Sequence, residues 1–155
     1  MRGIKLVAIL LGTIVVAGVV YWVGKPEALV VPNMEIRVVP TTSSTVDYTA
    51  SFEITTLGTK RIFTDPKYHN QNSDVYIQNP DPSVIFVKKG GVTWADFFNT
   101  LPFSLTETCL VTGTKQTFCN SETYKLRFYL NDQESSGVLS LEINPGDRLQ
   151  VVYGK

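Results

Sequence analysis

From Val46 the chain alternates. Val46, Tyr48, Ala50, Phe52 and Ile54 fall on one face of an extended strand, and Asp47, Thr49, Ser51, Glu53 and Thr55 fall on the other; a period of two sustained this long marks a half-buried strand. Leu57-Gly58-Thr59 reads as a turn, with Lys60–Phe63 returning antiparallel. A polar stretch, TDPKYHNQNS, separates this pair from Asp74–Gln78 and Ser83–Val87, which flank Asn79-Pro-Asp-Pro82 and predict a hairpin with a proline-stiffened turn. The period then changes. Trp94, Phe97, Phe98 and Leu101 have the i, i+3, i+4, i+7 spacing of one buried helix face. Thr93 and Asp96 fit the two halves of a capping box, and Val92 and Phe97 fit a hydrophobic staple. Pro102 stops that helix because its ring cannot continue one.

Strand-like patterns resume beyond the helix. A hairpin is expected between Cys109 and Cys119, then strands over Tyr124–Leu130 and Arg148–Tyr153, the last entered through an Asn144-Pro-Gly-Asp147 turn. Val138–Ile143 fits either a short strand or a single helical turn. One short helix against several strands predicts an α+β domain over 46–155: a mostly antiparallel sheet packed on the helix.

The N-terminal part has neither period. Leu6–Gly24 is 19 uncharged, largely apolar residues, long enough at about 1.5 Å per residue to cross a hydrocarbon core of about 30 Å. Arg2 and Lys5 precede it, so the positive-inside rule keeps the N-terminus cytoplasmic and exports the rest. Tyr21 and Trp22 stand at the exit interface. A cleaved signal peptide is the alternative, with Val15-Val16-Ala17 as the cleavage site, but the apolar run continues past it. The expected organisation is a cytoplasmic tip and anchor over 1–25, a stalk over 26–45 carrying Pro26, Pro32, Pro40 and a Thr/Ser run, and an extracytoplasmic domain. The anchor makes the lipid bilayer the first partner, with a single-pass protein of the cell membrane as the expected location.

Charge refines this picture. The whole chain is neutral, with 14 basic and 14 acidic residues, but from position 26 onward the count is 11 basic against 14 acidic, a net of −3. Nucleic acid is a poor partner for such a domain, because phosphate neutralisation by Lys and Arg dominates that affinity. The Lys88–Lys89 doublet reads as a solvated strand end. No His-Glu-x-x-His motif, phosphate loop or calcium-loop spacing occurs. Asp132, Glu134 and Asp147 fit turn chemistry better than an acid/base pair, and Trp94, Phe97 and Phe98 fit core better than a ligand pocket. No catalytic residue and no cofactor is expected.

Cys109 and Cys119 are the only cysteines. A structural disulfide, a redox couple and half of a metal site are all open to such a pair. An exported domain folds where disulfides persist. Nine intervening residues put the midpoint at Thr114, so a hairpin with a three- or five-residue tip sets the cysteines opposite each other. Gly113 is expected to supply the unusual backbone angles of that tip. Redox couples typically use a Cys-x-x-Cys pair at a helix N-terminus, which is missing here. The lone histidine, His69, is a weak metal candidate about forty residues away. The favoured reading is a disulfide that holds Thr112, Gly113, Thr114 and Lys115 out rigidly as an interaction surface.

Taken together, GVTWADFF, the cysteines of CLVTGTKQTFC, KLRFYLN and PGDRLQVVYG resemble an uncharacterised family of small, N-terminally anchored extracytoplasmic proteins of archaea and candidate-phylum bacteria. The likeness spans about Tyr48–Gly154. The C-terminal part also resembles β-grasp domains, in which a hairpin, a helix and further strands close one mixed sheet. That resemblance implies a fold and no activity. The family pattern associates histidines with the strands before the helix. Here those strands are DVYIQ and SVIFVKK, which lack histidine, so a copper or zinc site there is not expected of this chain. The expected function is a membrane-anchored, non-catalytic module that binds a protein or small ligand. The alternatives are an extracytoplasmic metal-handling protein that binds copper or zinc, and a thiol-disulfide oxidoreductase.

Overall fold

A computed structural model describes residues 44–155; the expected anchor at Leu6–Gly24 and nearly all of the 26–45 stalk lie outside the described residues. Among the described residues no helix is long and apolar enough to cross a membrane. The domain is mostly sheet with one short helix, an α+β arrangement. In chain order the elements are β1 (Thr45–Thr56), β2 (Thr59–Lys60), β3 (Val75–Ile77), β4 (Val84–Lys89), α1 (Trp94–Asn99), β5 (Ser104–Leu105), β6 (Cys109–Val111), β7 (Thr117–Cys119), β8 (Lys125–Leu130), β9 (Gln133–Glu134) and β10 (Arg148–Gly154).

The larger sheet has the order β3-β4-β1-β10-β8-β9, with β2 added to the end of β1. Every pairing is antiparallel except the central one: β1 and β10 run parallel, from Ser51 opposite Arg148 to Thr56 opposite Tyr153. The alternation read from Val46 onward holds. Ala50, Phe52, Ile54 and Thr56 are buried, while Thr49, Ser51, Glu53 and Thr55 point to the opposite face.

The expected return strand Lys60–Phe63 is shorter than read. Only Thr59 and Lys60 pair with β1. The cause is competition for one edge: β4 already occupies that side of β1 from Thr45 to Ser51, and Phe52 N–H donates to Ser83 O. The chain therefore leaves after Arg61 N–H reaches Ile54 O. The connection is a two-residue turn with both Leu57 and Gly58 at positive φ, the twist that suits a tight hairpin.

Helix α1 begins as its sequence dictates. Thr93 Oγ1 accepts from Asp96 N–H at 3.1 Å, and the Asp96 carboxylate accepts from Thr93 N–H at 2.9 Å. That reciprocal bond to the backbone, followed by the bond from the Thr93 hydroxyl, holds the Asp96 carboxyl below its ordinary range. Trp94, Phe97, Phe98 and Leu101 are all buried. They pack on the inner face of the sheet, where Phe52 meets both Phe97 and Phe98 edge-on at 5.2 and 5.7 Å. The Val138–Ile143 segment resolves as a single 3-10 turn, Val138–Ser140, that packs into the same core. Asp147 is a turn residue, as expected: its carboxylate accepts from Asn144 N–H and from Asn131 Nδ2–H, each at 2.9 Å.

Candidate functional site

β5, β6 and β7 form a separate three-stranded sheet that continues the core beyond α1. Cys109 lies directly opposite Cys119, with Cα atoms 4.0 Å apart and the sulfurs bonded. Asn120 N–H donates to Thr108 O on one side of the pair, and Thr112 N–H donates to Gln116 O on the other. The cysteines thus occupy a non-hydrogen-bonded position, where opposed strands come closest. The disulfide spans the hairpin at its open end, and three residues, Gly113, Thr114 and Lys115, form the tip.

The backbone of the tip departs from expectation. The left-handed residue is Lys115, at φ 66°, and Gly113 is not at positive φ. Gly113 is required for a different reason: a Cβ there would sit 2.9 Å from Pro102 O and 3.8 Å from the Tyr68 hydroxyl. The tip residues Gly113, Thr114 and Lys115 are exposed, and the tip leans onto the segment that follows α1. Substituting Gly113→Val should destabilise the domain by about 1–2 kcal/mol, the lower part of the overpacking range, because an exposed tip can lift away. The check is the urea midpoint of the full chain, and an unchanged midpoint would mean that the contact with Pro102 does not constrain the tip.

Between the leaning hairpin and the end of β1 lies a cleft of about 250 Å³. Ile54, Phe63, Phe103 and Leu110 supply its apolar surface, and Tyr68, Thr112 and Thr114 supply hydroxyls. Lys60 and Arg61 are the charged residues on its lining, which includes no carboxylate. Of the four tip residues singled out in the sequence, Thr112, Gly113 and Thr114 line this cleft; Lys115 borders a separate depression beside Leu101, Pro102 and Ser104.

Each wall has a local origin. Asp65 caps the 3-10 turn Pro66–Tyr68 by accepting from Lys67 N–H at 3.0 Å. That backbone bond, followed by the adjacent Lys67 ammonium, lowers the Asp65 carboxyl. The turn sets the Tyr68 ring edge-on to Phe63 at 5.2 Å, and Phe63 lies against both Phe52 and Phe103 at 5.0 and 5.8 Å. Arg61 is anchored from three directions. Its Nε–H donates to the buried Thr56 hydroxyl at 2.7 Å, one Nη contacts Gln116 Oε1 at 3.4 Å, and the guanidinium lies over the Phe118 ring at 5.0 Å. Among the described residues the ion pairs are carried by Lys60, Lys67, Lys88, Lys89 and Arg148. Arg61 is oriented without a carboxylate partner.

The other sequence candidates lie apart from the cleft. His69 Nε2 is 2.8 Å from Phe63 O, which helps to fix the loop carrying Tyr68. Among the described residues no group of three or more His, Cys, Asp or Glu side chains is placed to hold a metal. Lys88 and Lys89 pair with Asp47 and Asp74 at 2.6 and 3.2 Å. Compared with protein-family models, with curated proteins and with solved structures, the chain matches none.

Arg61, Phe63, Tyr68 and Phe103 were not legible as site residues. Their local sequence does not mark them: Ile62 and Phe63 are adjacent apolar residues, yet Ile62 ends 74% exposed and Phe63 buried.

Proposed function

We propose that this chain is a membrane-anchored extracytoplasmic binding module with a β-grasp-like domain, in keeping with the family resemblance of its motifs. The strand order supports the fold. β4, β1, β10, β8 and β9 are consecutive neighbours, the central pair is parallel, and α1 lies in the chain between β4 and β8. This is the order in which a hairpin, a helix and a second set of strands close one mixed sheet, with β2, β3 and the cysteine hairpin as additions.

One observation carries the binding reading: a leaning, disulfide-spanned hairpin walls a cleft whose lining combines apolar side chains and hydroxyl-bearing residues with Arg61, a cation fixed by Thr56. Recognition sites combine mostly apolar walls with a few convergent polar groups. The hydrophobic run of Leu6–Gly24 supports display of this cleft outside the cell membrane.

Topology is directly testable. In intact cells expressing the full chain with a tag at each end, external protease should remove the C-terminal tag and leave the N-terminal tag protected. Protection of both tags, or release of the protein from membranes by alkaline carbonate, would overturn the anchored reading.

A further inference from the structure

We infer that the cleft between β1 and the cysteine hairpin takes a small organic carboxylate with a branched or aromatic body. This rests on the binding-module reading above. Residues 44–155 carry 10 Lys and Arg against 12 Asp and Glu, a net of −2, yet the cleft lining has two cations and no carboxylate. Lys60 already pairs with Glu53 at 2.7 Å, which offsets much of its charge. Arg61 has no such partner, and its orientation is fixed in advance.

Arg61 lines the cleft, and its guanidinium keeps N–H groups beyond those that meet Thr56 and Gln116; a planar guanidinium is the side chain whose geometry matches a carboxylate. Because Thr56, Gln116 and Phe118 already restrict the side chain, little rotamer entropy remains to be lost on binding. Tyr68, Thr112 and Thr114 place hydroxyl groups on the same lining. Ile54, Phe63, Phe103 and Leu110 suit an apolar body. The volume, about 250 Å³, lies below the roughly 300 Å³ at which drug-sized pockets begin. That favours a small acid over an extended chain.

The test uses the detergent-solubilised full chain and calorimetric titration with isovalerate, phenylacetate and 3-phenylpropionate, each paired with its primary amide. At least one acid should bind, and its amide at least tenfold more weakly. Arg61→Gln should reduce acid affinity tenfold or more and leave the amide unchanged. Because Arg61 also contacts Thr56 and Phe118, a second variant is needed that leaves those contacts alone. Thr114→Glu places a carboxylate at an exposed rim position, and it should weaken acid binding while the thermal midpoint stays that of the wild type. Equal affinity for acid and amide, or no binding by any of the acids, overturns the inference. So does binding by a peptide with a free C-terminal phenylalanine when no small acid binds. Mass spectrometry of the probe separates the two levels. Conversion of an acid to product would overturn the non-catalytic reading itself, whereas an intact, unbound probe overturns the carboxylate assignment alone.

Discussion

Phe97→Ala should lower the stability of the domain by about 3–5 kcal/mol, the usual loss when a buried aromatic ring is truncated and its site cannot collapse. Phe97 has no exposed surface, and its ring centroid lies 5.0–5.2 Å from those of Phe98 and Phe52. It is the point at which the helix meets the inner face of the sheet, so a cavity there is bounded by two rigid elements. Since domains of this size are stable by only about 5–15 kcal/mol, the variant should be near its unfolding threshold at physiological temperature. Urea unfolding followed by tryptophan emission reads the change, because Trp94 stacks on Phe98 within the same cluster. Phe97→Leu, which keeps most of the volume, should lose markedly less. Equal midpoints for wild type and Phe97→Ala would mean that this cluster is not the folding core.

The second large effect is expected from the double substitution Cys109→Ser, Cys119→Ser. Chain-entropy arguments for a loop of about 11 residues give a loss of about 2.7 kcal/mol. Replacing both cysteines avoids leaving a reactive thiol. The loss should have a spatial signature. β6 and β7 pair over only three residues each, so the hairpin depends on its staple more than the large sheet does. Hydrogen exchange should accelerate first at Thr112 N–H, which closes the tip, and at Asn120 N–H, which bonds Thr108 O beside the cysteine pair. Uniform acceleration across β1 and β10 would instead show that the disulfide stabilises the domain as a whole and has no special hold on the cleft wall.

What the sequence disclosed was local. The period of two in β1, the capping box of α1 and the odd cysteine spacing are each settled within a dozen residues, by sterics and hydrogen bonds that neighbours supply. They came out as read. The errors lie where distant segments compete. Lys60–Phe63 carries the right pattern for a strand, but β4 arrives from more than twenty residues away to take the edge it needed. The assignment of Gly113 to the left-handed tip position failed because Lys115 took that position, while Pro102, before the hairpin, set a spatial demand only glycine meets. The cleft is the extreme case. It draws on β1, the Arg61–Tyr68 loop, the segment after α1 and the hairpin tip, and no one of these segments carries a motif. Arg61 stands out only once Thr56 and Phe118 are beside it.

The parallel pairing of β1 with β10 also governs when this domain can exist at all. Ser51 and Arg148 are partners although they stand 97 positions apart in the numbering, so the large sheet has no centre until β10 is present. Helix α1 and the cysteine hairpin can form early from local contacts, but both need the completed sheet to bury their apolar faces. Folding dominated by such distant contacts is slow, because loop closure must precede the contacts that reward it. A chain synthesised N-terminus first therefore lacks the central partner of β1 until Arg148–Gly154 is made, and the large sheet can close only late.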